Sequence, residues 1–287
     1  MIAKRAFRAM GTDVELLVDA SAGDADDALD RAEAEFHRLE ALLSRFRPDS
    51  ELSRLNRERT LEAGPDLRRV VELALAARER TGGRFDPTVH DAVVAAGYDR
   101  SFELVPEETT EPVRCATGGP AGEIRIRGRR IELDPGVRID LGGIAKGYAA
   151  ERAADILAPA GPCLVNAGGD IAIRGGRWPV GVATADRLVT LELGSGAVAT
   201  SGRDRRRWTR AGQEMHHLID PKTRCSADSD LIRVTAIARD AVEAEVAATS
   251  LFLAGTSRAV LEACASGIEA VLVTADGRTI LAGAFAR

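Results

Sequence analysis

The order of the apolar segments constrains the fold of this chain more than any other feature of its sequence. From Ile124 onward, short runs of β-forming residues dominate, and helical patterns interrupt them at only three places. A doubly wound parallel sheet requires strands and helices to alternate one for one, so this order predicts an α+β fold. The predicted strands are residues 124–126, 131–133, 163–166, 171–173, 180–183, 189–193, 231–238 and 270–273, and the predicted helices are residues 144–157, 241–253 and 258–265.

The N-terminal part of the chain predicts one strand and two amphipathic helices. Residues 14–18 form a β-prone run, and residues 24–43 place apolar side chains at three- and four-residue spacing. A second helix begins at Pro65, a favoured first-turn residue, and meets a stop signal at Gly82 and Gly83. The polar segment between the two helices predicts no regular element.

Residues 101–120 bear on the number of domains. They are acidic and then rich in Thr, Gly and Pro, which indicates a long connection, with a disordered linker as the alternative. The apolar segments on both sides are of the same type. Hydrophobic residues make up 45% of the chain, enough for a sizeable core. We therefore expect one domain over residues 1–287, although the length also allows two intimate ones.

Composition excludes several classes of protein. The formal net charge is −5 and arginine is spread along the chain, so nothing indicates nucleic-acid binding. The N-terminus is too polar for a secretory signal, and no apolar run reaches the ~18 residues of a membrane span, so we expect a cytoplasmic location.

The cysteines Cys115, Cys163, Cys225 and Cys264 lie far apart without a CxxC pair. This predicts buried or incidental thiols, not a zinc site or a disulfide framework.

The segment from residue 139 to residue 148 is the most informative for function. An apolar run ends at Asp140, Gly142 and Gly143 let a ligand approach the backbone, and a helix pattern with Lys146 in its first turn follows at once. Backbone N–H groups at a helix N-terminus beside a lysine suit a phosphate or pyrophosphate. The alternative is a plain strand-to-helix turn with Asp140 as its cap and Lys146 in solvent.

Three further segments combine turn residues with polar side chains. Glycine-rich corners at residues 167–170 and 201–202 each follow a β-type run, and hairpin turns explain either of them. Residues 81–88 join a helix stop to an acid, a proline and a hydroxyl, which is typical of a rigid ligand-facing loop and also of an ordinary turn.

Two pairs of side chains suit proton transfer and metal binding. His216 and His217 point to opposite faces of an extended segment, so at most one of them faces a given site, where Asp220 could orient it as a proton acceptor. Glu245 and Thr249 stand one helical turn apart, and a hard cation such as Mg²⁺ accepts their oxygens. Taken in isolation, each pair is more often explained by a packing or surface role.

In order and spacing, these segments together resemble the ApbE family of FAD:protein FMN transferases. They span nearly the whole chain, and chance does not explain their agreement in sequential order. The resemblance implies an ApbE-like fold of mostly antiparallel sheets with packed helices. The matching segments are residues 9–12, 44–56, 81–89, 140–147, 165–170, 199–202, 216–221 and 245–255.

The resemblance also implies roles for individual residues. His217 matches the catalytic or substrate-orienting histidine, with Asp220 as the acid beside it. The positions that bind Mg²⁺ fall on the carbonyl of Gly143 and on the side chains of Glu245 and Thr249. The positions that contact FAD fall on Met10, Phe46, Arg84, Phe85, Asp86, Asp140, Lys146 and Ile219.

The reaction implied by the resemblance is a phosphoryl transfer. A Thr or Ser hydroxyl of a target flavoprotein attacks the FMN-side phosphorus of FAD, and AMP leaves. Positioning and charge neutralisation do most of the work in such reactions. Mg²⁺ and Lys146 would stabilise the pyrophosphate charge, and His217 or Asp220 would receive the hydroxyl proton.

Two departures from the family pattern flank this predicted site. Glu245 stands where the family usually has Asp, which adds one methylene at a site where Mg²⁺ requires near-octahedral geometry. Arg224 and Cys225 follow Thr223 where the family tends to have Gly, so an easy positive-φ conformation is lost and we expect a local difference in the loop. Two other functions therefore stay open: hydrolysis of FAD to FMN and AMP, and FAD binding without catalysis.

Overall fold

The computed structural model describes residues 1–20, 25–115 and 122–286. Its contacts divide the chain into two compact units, each assembled from separated segments. The first contains residues 1–40, 144–201 and 230–287, and the second contains residues 41–143 and 202–229. The prediction of one domain over the whole chain stays a prediction.

The first unit is built on an eight-stranded sheet with the strand order β1-β2-β7-β8-β11-β16-β17-β18. Its central strands β7 and β8 are almost wholly buried, whereas the edge strand β1 alternates exposed and half-buried residues. A separate hairpin pairs β9 with β10. The strands are β1 Ile2–Ala9, β2 Thr12–Asp19, β7 Cys163–Ala167, β8 Asp170–Arg174, β9 Trp178–Ala183, β10 Leu188–Leu193, β11 Gly196–Gly202, β16 Leu231–Ala238, β17 Glu269–Thr274 and β18 Thr279–Ala282.

The helices of the first unit are α1 Ala25–Leu43, α5 Ala145–Leu157, α6 Ala241–Ala254 and α7 Thr256–Ser266. Helix α5 packs against β7, β8 and α6, and its buried residues are almost all alanine or glycine. At Gly147 a Cβ atom would lie 2.5 Å from the carbonyl oxygen of Ala241. Only glycine therefore permits this close approach of α5 to α6. Asp240 caps α6 by accepting a hydrogen bond from Glu243 N at 2.8 Å.

In its described residues, the second unit combines three α-helices of 6 to 16 residues with three small sheets. The sheet orders are β13-β12-β4, β14-β15 and β3-β6-β5. Trp208 belongs to one core cluster, and its indole N–H donates to the Ala96 carbonyl at 2.9 Å. The elements are α2 Glu51–Glu58, β3 Thr60–Glu62, α3 Pro65–Arg80, α4 His90–Ala95, β4 Glu108–Thr109, β5 Ile124–Arg127, β6 Arg130–Leu133, β12 Arg207–Arg210, β13 Gln213–His216, β14 Ile219–Asp220 and β15 Cys225–Ser226.

The predicted α+β class with mostly antiparallel sheets is confirmed. The predicted strands and helices are present, although residue 24, the expected start of α1, lies outside the described residues. Residues 116–120 of the predicted connection also lie outside the described residues. Residues 101–115 include a 3₁₀ turn, Phe102–Leu104, and β4. No helix of the described residues is long and apolar enough to cross a membrane.

Helix α2 was not predicted from the polar segment before Pro65. It has only two buried residues, Leu52 and Leu55, too few to give a periodic pattern. The sequence does contain a signal for its start, because serine is a favoured N-cap residue. In the structure the Ser50 side chain accepts a hydrogen bond from Ser53 N at 3.0 Å.

Candidate functional site

A buried cluster of three charged side chains lies at the first turn of α5. The Lys146 ammonium donates to Asp170 Oδ2 and to Glu245 Oε1, and Gly147 N donates to Glu245 Oε2 at 2.9 Å. The Asp170 and Glu245 side chains are each only 4% exposed, and Lys146 is 17% exposed. Lys146 is therefore a largely enclosed partner of two carboxylates, and the alternative that it lies in solvent is wrong.

The cluster is unbalanced in charge, because one ammonium group serves two carboxylates. Burial raises the pKa of Glu245 to about 7, Lys146 opposes this shift, and Asp170 adds to it. An additional cation or a proton at this position would relieve the repulsion between the carboxylates. This is the electrostatic signature of a site that accepts positive charge.

Further oxygen atoms of the kind that bind metal ions lie along α6. Thr249 lies one turn after Glu245, and its hydroxyl is 2.9 Å from the hydroxyl of Ser201 at the end of β11. Carboxylate and hydroxyl oxygens are hard metal ligands, which suit hard cations such as Mg²⁺. Among the described residues, no group of three or more His, Cys, Asp or Glu side chains is arranged to hold a metal ion. A cation bound here would need carbonyl or phosphate oxygens as further ligands.

Asp140 has a structural role within the second unit. Its Oδ1 accepts from Gly142 N at 2.6 Å, and its Oδ2 lies 2.7 Å from Arg45 Nε in a pair whose side chains are 12% and 8% exposed. Arg45 also donates to the Tyr98 carbonyl at 2.7 Å and stacks on the rings of Tyr98 and Phe46. Asp140 thus fixes the glycine turn, and Arg45, which sequence analysis did not single out, anchors it.

The loop of residues 81–88 packs against the same turn. The Pro87 carbonyl accepts from Asp140 N at 2.7 Å, and a Cβ atom on Gly143 would lie 3.1 Å from the Phe85 ring. Asp86 Oδ1 accepts from Thr88 N at 2.9 Å, which makes the loop rigid.

The remaining residues predicted to contact FAD differ in exposure. Met10 lies in the turn between β1 and β2 with a φ of 53°, and its N–H donates to Glu40 Oε1 at 2.8 Å. Phe46 is 37% exposed, and Arg84 is half-buried. Ile219 is only 5% exposed and packs in the cluster around Trp208. The role that the structure shows for Ile219 is packing.

The two adjacent histidines have different surroundings, as the extended segment predicts. His216 is buried, its Nε2 lies 3.0 Å from the Ala227 carbonyl, and burial lowers its pKa. His217 is half-buried, so it is the one of the pair with access to a ligand. Asp220 Oδ1 accepts from Lys222 N at 2.9 Å and shapes the turn that follows.

The prediction that the cysteines form no disulfide is wrong for one pair. Cys115 is bonded to Cys225, with their Cα atoms 4.9 Å apart, whereas Cys163 and Cys264 are free. Their separation of 110 residues hid the pairing, because spacing alone gives no sign of it. The residue before Cys225, Arg224, has a φ of 57°. It thus adopts the left-handed conformation for which the expected glycine would be the easy choice.

Comparison with known proteins identifies the family. The model of the ApbE family matches residues 10–272. The chain belongs to the ApbE family.

Relatives and solved structures of the ApbE family agree with this match. FAD:protein FMN transferase from Vibrio cholerae is 29% identical over 255 residues, covering 82% of this chain and 76% of the relative. The relative of the same name from Klebsiella pneumoniae is 33% identical, but over 51% of this chain and 49% of its own length. The crystal structure of the ApbE protein from Thermotoga maritima superimposes with a TM-score of 0.88 at 27% identity, covering 100% of this chain and 98% of that one. The expected ApbE-like fold is thus confirmed.

Proposed function

We propose that this protein is an FAD:protein FMN transferase, which moves the FMN half of FAD to a Thr or Ser hydroxyl of a target flavoprotein and releases AMP. The observation that carries the proposal is the Lys146–Asp170–Glu245 cluster, a buried charged site at the helix start predicted to bind a pyrophosphate. All three residues lie within the span that matches the ApbE family. The names of the relatives supply the substrate class.

The residues of the cluster suit the charge changes of the reaction. The acceptor oxygen forms a bond to the FMN-side phosphorus, the bridging P–O bond breaks, and AMP departs with the negative charge. Lys146 supplies an ammonium at the N-terminal turn of α5, where helix N–H groups also favour anions. In this proposal His217, half-buried beside its buried neighbour, accepts the proton of the attacking hydroxyl.

We propose that Glu245 and Thr249, with the carbonyl of Gly143, hold Mg²⁺. The chemistry of the donors fits a hard cation, and the excess of carboxylate over ammonium favours one. When bound, Mg²⁺ would neutralise phosphate charge. The longer side chain of Glu245 reaches Lys146 and Gly147 at once, so these two groups hold its carboxylate in place.

The residues proposed to bind FAD fall into groups with different roles: stacking on a ring, positive charge for phosphate, and support of the loop and the glycine turn. The exposed ring of Phe46 can stack on a flavin or adenine ring. Arg84 and Lys146 offer positive charge to phosphate. Phe85, Asp86 and Asp140 support the loop and the glycine turn. The other residues in the proposed set are Met10 and Ile219, the latter through the packing of its neighbours.

The experiment that tests this function is incubation with FAD, Mg²⁺ and a flavin-accepting domain, following AMP release and covalent flavin fluorescence together. Transfer requires both signals to rise in parallel. AMP release with no covalent fluorescence would indicate hydrolysis of FAD, with water as the acceptor. Tight binding of FAD with neither signal at any Mg²⁺ concentration would indicate a non-catalytic flavin-binding protein.

The cytoplasmic location stays a prediction. A disulfide is typical of oxidising compartments, so the Cys115–Cys225 bond points away from a permanently reducing one. Fractionation of the source cells, with detection of the protein in each fraction, decides between these locations.

A further inference from the structure

The hairpin of β14 and β15 follows His217 almost directly and is too short to hold its shape alone. Its strands have two residues each, with Ile219 paired to Ser226 and Asp220 paired to Cys225. Isolated two-stranded hairpins are at best marginally stable in water. The geometry of this hairpin therefore depends on what fastens it to the rest of the second unit.

The backbone position of His217 is set by the second strand of this hairpin. Ser226 Oγ donates to the carbonyl of His216 at 2.7 Å and accepts from His216 N at 3.1 Å. Ala227 N donates to the Leu218 carbonyl at 2.9 Å. Because both neighbours of His217 are bonded to residues 226 and 227, a displacement of that strand displaces His217.

The turn of the hairpin contains a residue in an unfavourable conformation. Arg224 has a φ of 57°, a region that residues with a Cβ atom rarely adopt, and its N–H donates to the Asp220 carbonyl at 2.7 Å. Such conformations persist only when the surrounding structure fixes them. The fixing element is next in the chain, since Cys225 is bonded to Cys115.

The disulfide attaches the hairpin to a chain segment that follows a strand of another sheet of the same unit. Cys115 lies shortly after β4, and β4 pairs with β12, which in turn pairs with β13. His216 is the last residue of β13. Cys225, the residue after Arg224, is thus covalently linked to the segment that follows β4. Through β4 and β12, the same segment is also connected to β13, the strand that leads to His217.

We propose that the Cys115–Cys225 disulfide is a positioning element for flavin transfer, which holds the β14–β15 hairpin and His217 in their working geometry. The proposal rests on the proposed function, because His217 is its proton acceptor. A dithiol reductant reverses the effect: two electrons and two protons pass to the two sulfur atoms, the S–S bond breaks, and the reductant becomes a disulfide. A cavity of about 470 Å³, lined by both cysteines and His216, gives such a reductant access.

The test compares Cys115→Ser and Cys225→Ser with Cys264→Ser, which removes an exposed free cysteine of α7 as a matched control. We expect kcat for transfer to fall by about tenfold to a hundredfold in the first two variants, since a small misplacement of a reacting group has an effect of that size. The dissociation constant for FAD should stay unchanged. Each assay is run well below the melting temperature of the variant, so that lost stability alone leaves kcat unaltered.

Reduction of the wild-type protein supplies a second, mutation-free arm. Dithiothreitol followed by alkylation should lower kcat of the wild type and of Cys264→Ser, and should leave the already slow Cys115→Ser and Cys225→Ser variants unaffected. Before reduction, the denatured protein should show two thiols per chain, those of Cys163 and Cys264, and afterwards four.

Several results would overturn the proposal. Four reactive thiols before reduction would show that the bond is absent. A Cys225→Ser variant with the kcat of Cys264→Ser would show that the bond does not position His217. If the untreated wild type transfers no flavin at all, the proposed function is wrong and this proposal is wrong with it. If the wild type transfers flavin and Cys115→Ser and Cys225→Ser have the same kcat as the wild type, only this proposal is contradicted.

Discussion

Replacing Glu245 with alanine tests the charged cluster in two independent ways. The substitution removes the carboxylate that pairs with Lys146 and accepts from Gly147 N. Removing the acceptor of a buried N–H group costs about 1–3 kcal/mol, because the N–H stays desolvated without a partner. Asp170 still pairs with Lys146, so no charge is left unpaired, and we expect a loss of about 1–3 kcal/mol from the Gly147 N–H.

This loss is measurable as a shift in thermal unfolding. With an unfolding entropy of ~2.1 cal/mol/K per residue, each kcal/mol lowers the Tm of this 287-residue chain by about 1.7 °C, so the expected fall is about 2–5 °C. Scanning calorimetry in EDTA measures it without any contribution from bound metal. Glu243→Ala is the matched control on the same helix, because Glu243 pairs with Arg239, whose side chain is 84% exposed. Such a surface pair contributes about 0–1 kcal/mol.

The same variant tests the proposed metal ligand. Glu245→Ala should abolish Mg²⁺-dependent turnover and leave the affinity for FAD mostly intact, whereas Glu245→Asp keeps the charge and should retain turnover. Unchanged turnover in Glu245→Ala would rule out the ligand role. A fall in Tm no larger than that of Glu243→Ala would refute the reasoning about the buried cluster.

Three further substitutions test the second unit. Arg45→Met leaves the Asp140 carboxylate without its arginine, so urea unfolding should show a loss of about 3–5 kcal/mol, and a loss below 1 kcal/mol would contradict the anchoring role. Arg224→Gly relieves a positive φ and should raise the unfolding free energy by about 0.5 kcal/mol; a decrease would argue against the left-handed conformation. Burial lowers the pKa of His216 below the usual 6.5, so its contribution to stability is complete above pH 6.5 and is lost as the pH falls through the lower folded pKa. Urea unfolding at pH 7.5 and 5.5 should therefore show a smaller acid loss in His216→Gln than in the wild type, and equal losses would contradict this.

The fold was predictable where one strong pattern specifies one element. The helix from Pro65 ends where the sequence predicts, because proline, apolar spacing and paired glycines all favour the same boundaries. Edge and short strands were missed. Strand β1 contains the basic residues Lys4, Arg5 and Arg8, which leave no hydrophobic pattern, and it is a strand because it pairs with β2 along its whole length.

The candidate site was predictable in its residues but not in its partners. Lys146 and Glu245 are 99 positions apart, so only the close approach of α5 and α6 at Gly147 brings their side chains together. The third member, Asp170, lies in a glycine corner that a hairpin turn explained adequately. Likewise, no local pattern links Arg45 to Asp140 or Cys115 to Cys225. Long-range pairs of this kind are set by tertiary packing.

Intact-mass analysis of a candidate acceptor domain tests the central claim most directly. After incubation with the protein, FAD and Mg²⁺, the acceptor should gain the mass of one FMN group, with an equal amount of AMP in solution. The gain should disappear when the accepting Thr or Ser is replaced by alanine. An acceptor of unchanged mass beside equal amounts of free FMN and AMP would contradict the account.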